Sequence, residues 1–210
     1  MSKAIFFDTE TTGLPLFSEP SEHPDQPHIV QLAGCLVDLD TRTTLASLDV
    51  IIRPDGWEIP AEVSAIHGIT TEMAMDLGVP EAQAVDMFLA LWGNRPRIAH
   101  NESFDARIVR IAIKRHLDPR NTDLVIPLSD EWKAGQAECT ARMSTPICAL
   151  PPTAKMVAAR RNNHKTPKLT EAYRHFFGEE FENAHSALAD VRACMDVYFA
   201  VKDGKPAFAA

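Results

Sequence analysis

The stretch KAIFFDTETTGL, residues 3–14, constrains this chain more than any other. Residues 3–9 read as a strand. Alternate residues of a strand share a face, so Ala4, Phe6, Asp8 and Glu10 point one way and Ile5, Phe7 and Thr9 the other. At ~3.3 Å rise per residue the Cα atoms of Asp8 and Glu10 are ~7 Å apart, close enough for both side chains to meet one ion. An apolar strand ending in two like charges on one face has two readings. Either the strand has reached solvent, or the acids share a cation, because without one they repel and one of them keeps its proton. Gly13 permits a sharp departure from the strand just beyond.

The remaining periodicities surround that strand with an α/β layout. After a Pro-rich loop, LPLFSEPSEHPDQPH, residues 29–39 and 44–53 read as two strands joined by the polar turn Asp40-Thr41-Arg42. The chain therefore opens with three strands, read as antiparallel. Short helices are expected over 60–66 and 80–92, the second with Ala84, Met87, Phe88 and Leu91 on one stripe. Residues 97–100 form a short strand, and 104–116 an amphipathic helix with Phe104, Ile108, Ile111 and Ala112 inward. A further strand is expected around 122–128, and the Pro-rich stretch 129–167 reads as irregular. Helices over 168–177 and 186–201 complete the chain, read as one domain over 1–210 with a mixed sheet.

No apolar run approaches the ~20 residues of a membrane span, and MSKAIFFD is too short for a signal peptide. The expectation is an intracellular, cytoplasmic protein without a membrane partner. Cys35, Cys139, Cys148 and Cys194 are widely spaced and read as buried free thiols rather than disulfide or zinc partners. A net charge of -8 argues weakly against a nucleic-acid partner. The distribution argues the other way: residues 1–94 hold 15 acids against 3 Lys/Arg, whereas 95–175 hold 8 acids against 15. A localised basic surface follows.

Two further carboxylates fit a shared site. Asp105, in HNESFDARIVR, borders the apolar face of its helix, while Arg107, Arg110 and Lys114 form a basic stripe suited to solvent or to phosphate. Asp190, in AHSALADVRACMDVY, has small ridge neighbours, Ser186, Ala187, Ala193 and Cys194, that leave room for an ion. Asp196 instead reads as a surface partner of Arg192, and Ser186 as the cap of the last helix. His185 stands five residues before Asp190 at a loop edge, and an ordinary imidazole pKa of ~6.5 suits proton abstraction near neutrality.

D-x-E-T-T-G-L at 8–14, H-N-x-x-F-D at 100–105 and H-x-x-x-x-D at 185–190 occur in that order. Together they resemble the three motifs of the DEDDh 3′–5′ exonucleases, a family of proofreading subunits and RNase T-like trimming enzymes. The segments Ile29-Val30-Gln31-Leu32-Ala33, His67-Gly68-Ile69-Thr70 and Lys168-Leu169 extend the resemblance over about 3–200. It implies an RNase H-like fold: a mixed five-stranded sheet, its first three strands antiparallel, flanked by helices.

The same resemblance implies two Mg²⁺ ions, with Mn²⁺ able to substitute, ~3.5–4 Å apart. Asp8 would bridge them, Glu10 and Asp190 would hold one, Asp105 the other, and His185 would take a proton from water. Nucleoside 5′-monophosphates would leave a nucleic-acid 3′ end. DNA is the favoured polymer; RNA 3′-end trimming, a non-catalytic binding module and a metal-dependent endonuclease or phosphatase are the alternatives. Thr11, Leu14, His67 and Phe104 are expected to meet the terminal nucleotide, and Arg107, Arg110, Arg160, Arg161 and Lys165 its phosphates. The short C-terminal segment argues against stable polymerase association, and a homodimer is left open.

Overall fold

The computed structural model describes residues 2–208, organised on one five-stranded sheet. In chain order come β1 (Lys3–Thr11), β2 (Ile29–Asp38), β3 (Thr43–Ile51), α1 (Ala61–His67), α2 (Thr71–Leu77), α3 (Glu81–Trp92), β4 (Arg97–Ala99) and α4 (Glu102–His116). A 3-10 turn at Asp118–Arg120 precedes α5 (Leu128–Ala134), β5 (Ala137–Cys139), α6 (Thr140–Cys148), α7 (Ala154–Ala158), α8 (Leu169–Phe177) and α9 (Ala187–Lys202). The strand order is β3-β2-β1-β4-β5. The first three strands are antiparallel, β4 runs parallel to β1, and β5 runs parallel to β4.

The alternation read in β1 is what places it at the centre. Ile5 and Phe7 pack with residues of α3 and α4 on one face, and Ala4 and Phe6 pack with Ala187, Val191, Cys194 and Tyr198 of α9 on the other. A strand buried on both faces has near-continuous apolar sequence, which explains IFF better than a half-solvated strand would. Apolar burial at ~25 cal/mol per Å² makes these two layers the dominant stabilising contribution. The four cysteines are buried free thiols, as expected. No helix among the described residues is long and apolar enough to cross a membrane.

The sequence reading needs correction in the second half. The fifth strand is β5, not 122–128. Leu124, Val125 and Ile126 are exposed, Val125 almost completely at 99%, and no strand runs through them. The stretch 129–167 is not irregular either: it holds most of α5, all of β5, and α6 and α7. Three residues suffice for β5 because the parallel register Arg97↔Ala137, Ile98↔Glu138, Ala99↔Cys139 supplies its hydrogen bonds from outside the segment. Met87 also departs from the inward stripe of α3, with Val85 buried in its place.

The Pro-rich loop 12–28 has no regular structure but is pinned along α4. Arg107 donates to the carbonyls of Leu16 and Glu19, Arg110 to Ser21 Oγ, and Arg115 to the carbonyls of Gln26 and Pro27. Buried Glu81, at the start of α3, closes the far end of this seam. Its carboxylate accepts from the Ile29 N–H at 3.0 Å and lies 2.8 Å from His116 Nε2, 3.1 Å from His28 Nδ1 and 3.3 Å from Arg115 Nη1. Burial alone would raise the Glu81 pKa; the bonds from His116 and His28 and the Arg115 charge outweigh it and hold the carboxyl far below the usual range.

Glu81→Gln should therefore destabilise the protein by about 3 kcal/mol in urea unfolding at neutral pH, the usual effect of breaking a buried charge pair. A carboxyl with a depressed folded pKa stabilises fully above its ordinary value of 4.5, and that contribution fades as pH falls below it. The gap between wild type and variant should accordingly narrow in acid; equal unfolding midpoints at neutral pH would contradict this role.

Candidate active site

β1 outruns its parallel neighbour. β4 pairs with it only at Ile5↔Arg97 and Phe6↔Ile98, whereas the antiparallel register with β2 continues through Asp8↔Ala33 and Glu10↔Gln31. The edge left beside Asp8 is met by the first turn of α4. There Asp105, only 3% exposed, accepts from the Thr9 N–H at 3.1 Å and the Thr9 hydroxyl at 2.7 Å. Thr9 points away from Asp8 and Glu10 in the strand alternation, yet it is the residue that docks Asp105 beside them. First-turn placement also sets the Asp105 carboxylate at the favourable end of the helix dipole.

From the other face, α9 presents Asp190. The expected Ser186 cap is not the one found: Ser186 occupies the cap position, but its side chain makes no capping bond. Instead the Ala187 N–H donates to Gln31 Oε1 at 3.1 Å, and Gln31 Nε2 donates to Asp49 at 2.8 Å. Gln31 lies opposite Glu10 in the β1–β2 register, so a sheet side chain does the work that a local hydroxyl would do elsewhere. His185 has a left-handed backbone (φ 70), and its N–H lies 3.4 Å from Asp190 Oδ1. One ligand-type atom each from Glu10, His185 and Asp190 lies within 4.8 Å of the others.

The electrostatics of this cluster are under stress. Burial raises the Asp8 pKa well above the usual range, and the charges of Asp105, Asp190 and Glu10 raise it further. Glu10 is pushed up to about 8 by burial and then by Asp190 and Asp105. Asp105 rises to about 7, burial outweighing the two Thr9 hydrogen bonds. Asp190 rises to about 6, again through burial, opposed by the N–H and charge of His185. Four clustered oxygen donors that cannot all ionise unaided are a matched host for hard divalent cations.

The other sequence candidates divide. Thr11 is buried and its hydroxyl donates to the Gly13 carbonyl at 2.8 Å, shaping the turn that leaves Leu14 76% exposed. His67 lies within electrostatic reach of His185; burial and then that neighbour lower its pKa. Its Nδ1 accepts from the Ile69 N–H at 3.1 Å, which leaves the ring proton on Nε2, a buried donor with no partner among the described residues. Phe104 is half-buried against the core cluster of Ile5 and Phe7. Arg107 and Arg110 are engaged with the Pro-rich loop rather than free on a solvated stripe. Arg160 and Arg161 are exposed just beyond α7, and Lys165 pairs with Glu171.

The end of that basic segment is tied to the site's neighbourhood, since the Pro167 carbonyl lies 3.0 Å from Nε2 of His100, the residue following β4. Thr9 and Gln31 are the positioning residues that sequence reasoning missed. The available signal was a polar side chain inside an apolar strand, where burial requires a partner.

The family described as Exonuclease (RNase_T) matches residues 5–198. The uncharacterized exonuclease CP81 of Escherichia phage 186 is 28% identical over 201 residues, covering 95% of this chain and 88% of its own. A putative bifunctional exonuclease/endonuclease protein of Mycobacterium tuberculosis is 25% identical over 199 residues, of which this chain spans only 26% of the length. Among solved structures, E. coli Exonuclease I in complex with a dT13 oligonucleotide superposes with a TM-score of 0.71 at 21% identity, covering 96% of this chain and 41% of that one. Exonuclease I from Methylocaldum szegediense superposes with a TM-score of 0.70 at 23% identity, again spanning 41% of the longer chain. With its mixed sheet, its ordered D-x-E, D and H-x-x-x-x-D motifs and a family match over nearly its whole length, the chain belongs to the exonuclease family, in its DEDDh group.

Proposed function

We propose that this protein is a metal-dependent 3′–5′ exonuclease that removes nucleoside 5′-monophosphates from single-stranded DNA. The observation that carries this reading is the convergence of Asp8, Glu10, Asp105 and Asp190, from three separate elements, with His185 beside them. Asp8, Glu10 and Asp190 would hold one divalent cation and Asp8 with Asp105 a second, Mg²⁺ being the natural choice for a hard-oxygen set and Mn²⁺ its substitute. Bound there, the cations would polarise the scissile phosphodiester and neutralise charge on the attacking and leaving oxygens.

The chain's own residues supply the rest. His185 accepts a proton from the attacking water and is oriented by its backbone contact to Asp190. Thr9 holds Asp105 at a fixed distance from Asp8, and Gln31 holds the start of α9, so the carboxylate spacing is set before substrate arrives. His67, within electrostatic reach of His185, is placed to line the terminal nucleotide. Leu14, projecting from the turn after β1, suits apolar contact with the terminal base. Arg160, Arg161 and Lys165 are the cations offered to the strand. Single-stranded DNA is supported by the oligonucleotide complexes of E. coli Exonuclease I with dT13 and dA16.

With Mg²⁺ and a 5′-labelled single strand, products should shorten stepwise from the 3′ end. An internal cut, or binding without cleavage, would overturn the reading. Asp8→Asn should abolish this activity while leaving a folded protein by circular dichroism. His185→Ala should slow turnover by about a hundredfold at neutral pH, the typical worth of a general base, and the deficit should shrink as pH rises. A deficit constant with pH would argue against His185 as the proton acceptor.

The raised carboxyl pKa values set a third expectation. Groups that titrate higher in the folded chain than in the unfolded one bind extra protons when folded, so stability falls as pH rises between the two values. In EDTA the thermal midpoint should therefore drop between about pH 5 and about pH 8 more than it does for Asp8→Asn, and excess Mg²⁺ should restore it. Parallel curves for the two proteins would contradict the clustering.

A further inference from the structure

A cavity of about 240 Å³ lies on the outer side of α4, between it, α5 and the Pro-rich loop. It is separate from the carboxylate cluster: Asp105 faces Thr9, while Ser103, Ala106, Arg107 and Arg110 of the same helix line the cavity. Arg97 and Lys133 add two more cations to its wall, and Ser21 adds a hydroxyl from the loop. The Arg97 guanidinium lies 4.4 Å over the ring of Trp132, which also lines the cavity.

The balance of charge leaves this cavity wanting an anion. Four cations meet two acids there: Glu102, bonded to Arg97 Nε at 2.7 Å, and Asp130, 3.2 Å from Arg110 Nη2. Arg107 spends Nη2 on the carbonyls of Leu16 and Glu19, and Arg110 spends Nε, Nη1 and Nη2 on the Ser129 carbonyl, Ser21 Oγ and Asp130, so the cation in the lining without a partner among the described residues is Lys133. An ammonium without a partner, at a concave site with surplus positive charge, is the condition that a phosphate group satisfies with charge-assisted hydrogen bonds. The low-dielectric wall formed by Trp132 strengthens that attraction.

We propose that this cavity is a phosphate-binding site, contacted by Lys133 with the charges of Arg107 and Arg110 beside it, and distinct from the catalytic carboxylates. The phosphate has two sources: the backbone of a bound strand away from its 3′ end, or free phosphate carried by a small molecule. The site rests on its own residues and not on the exonuclease reading, so each can fail without the other.

The test begins with inorganic phosphate alone, titrated into the full chain at constant ionic strength while heat and Trp emission are followed. Saturable binding is expected, weakened about tenfold by Lys133→Glu, as for loss of one charge-assisted contact, and unchanged by Lys205→Glu outside the cavity. Absence of saturable binding, or equal binding by wild type and Lys133→Glu, would overturn the site. The source is then read with the Asp8→Asn protein and two labelled oligonucleotides, a trinucleotide and a strand of about a dozen nucleotides. Phosphate that competes with the longer strand and not with the trinucleotide assigns the site to the strand backbone. Phosphate that binds without displacing either assigns it to a free phosphate.

Discussion

The burial of four carboxylates at one corner of the sheet is the constraint around which this chain is built. Asp8 and Glu10 end a strand that is otherwise apolar on both faces, and Asp105 and Asp190 are brought to them from helices on opposite sides of the sheet. Each is already disfavoured as a charge by its own burial, and at Asp8 and Glu10 the charges of the neighbouring acids add to that. Brought together in a partly desolvated corner, they titrate upward into the neutral range, Glu10 to about 8 and Asp105 to about 7. A fold that tolerates this without relaxing apart must hold the acids from outside the cluster.

The holding groups are few and specific. Thr9 ties α4 to the strand through Asp105, and Gln31 ties the start of α9 to the neighbouring strand. The Pro-rich loop is strapped along α4 by Arg107, Arg110 and Arg115, and Glu81 locks the last of these to the start of β2. Cations that looked free on a helix surface thus serve the scaffold, and their charges remain available to the cavity beside α5. Backbone geometry and electrostatics share the same residues, so a substitution in the strap reaches the site through the position of α4.

The strongly patterned elements were legible from the residues: β1 with its alternation, the β2–β3 hairpin, the stripes of α4 and α9, and the five candidate site residues they carry. The failures have physical causes. α2 exposes Met73, Met75 and Leu77, so its apolar residues do not trace an inward face, and only the Thr70 cap announces it. β5 has three residues and owes its existence to β4, a non-local partner that no window of sequence contains. Leu124-Val125-Ile126 carries strand propensity but finds no edge. The Gln31–Ala187 contact spans 156 positions, so only its burial inside a strand hinted that Gln31 had a distant partner.

In this reading the carboxylate cluster exchanges protons for a cation. Calorimetric titration of Mn²⁺ into the metal-free protein near neutral pH, in buffers of different ionisation enthalpy, measures that exchange directly. Binding should release protons, the release should grow as pH is lowered toward 6, and Asp8→Asn should lose both the binding and the release. Mn²⁺ that binds without proton release, or binds equally well to Asp8→Asn, would contradict it.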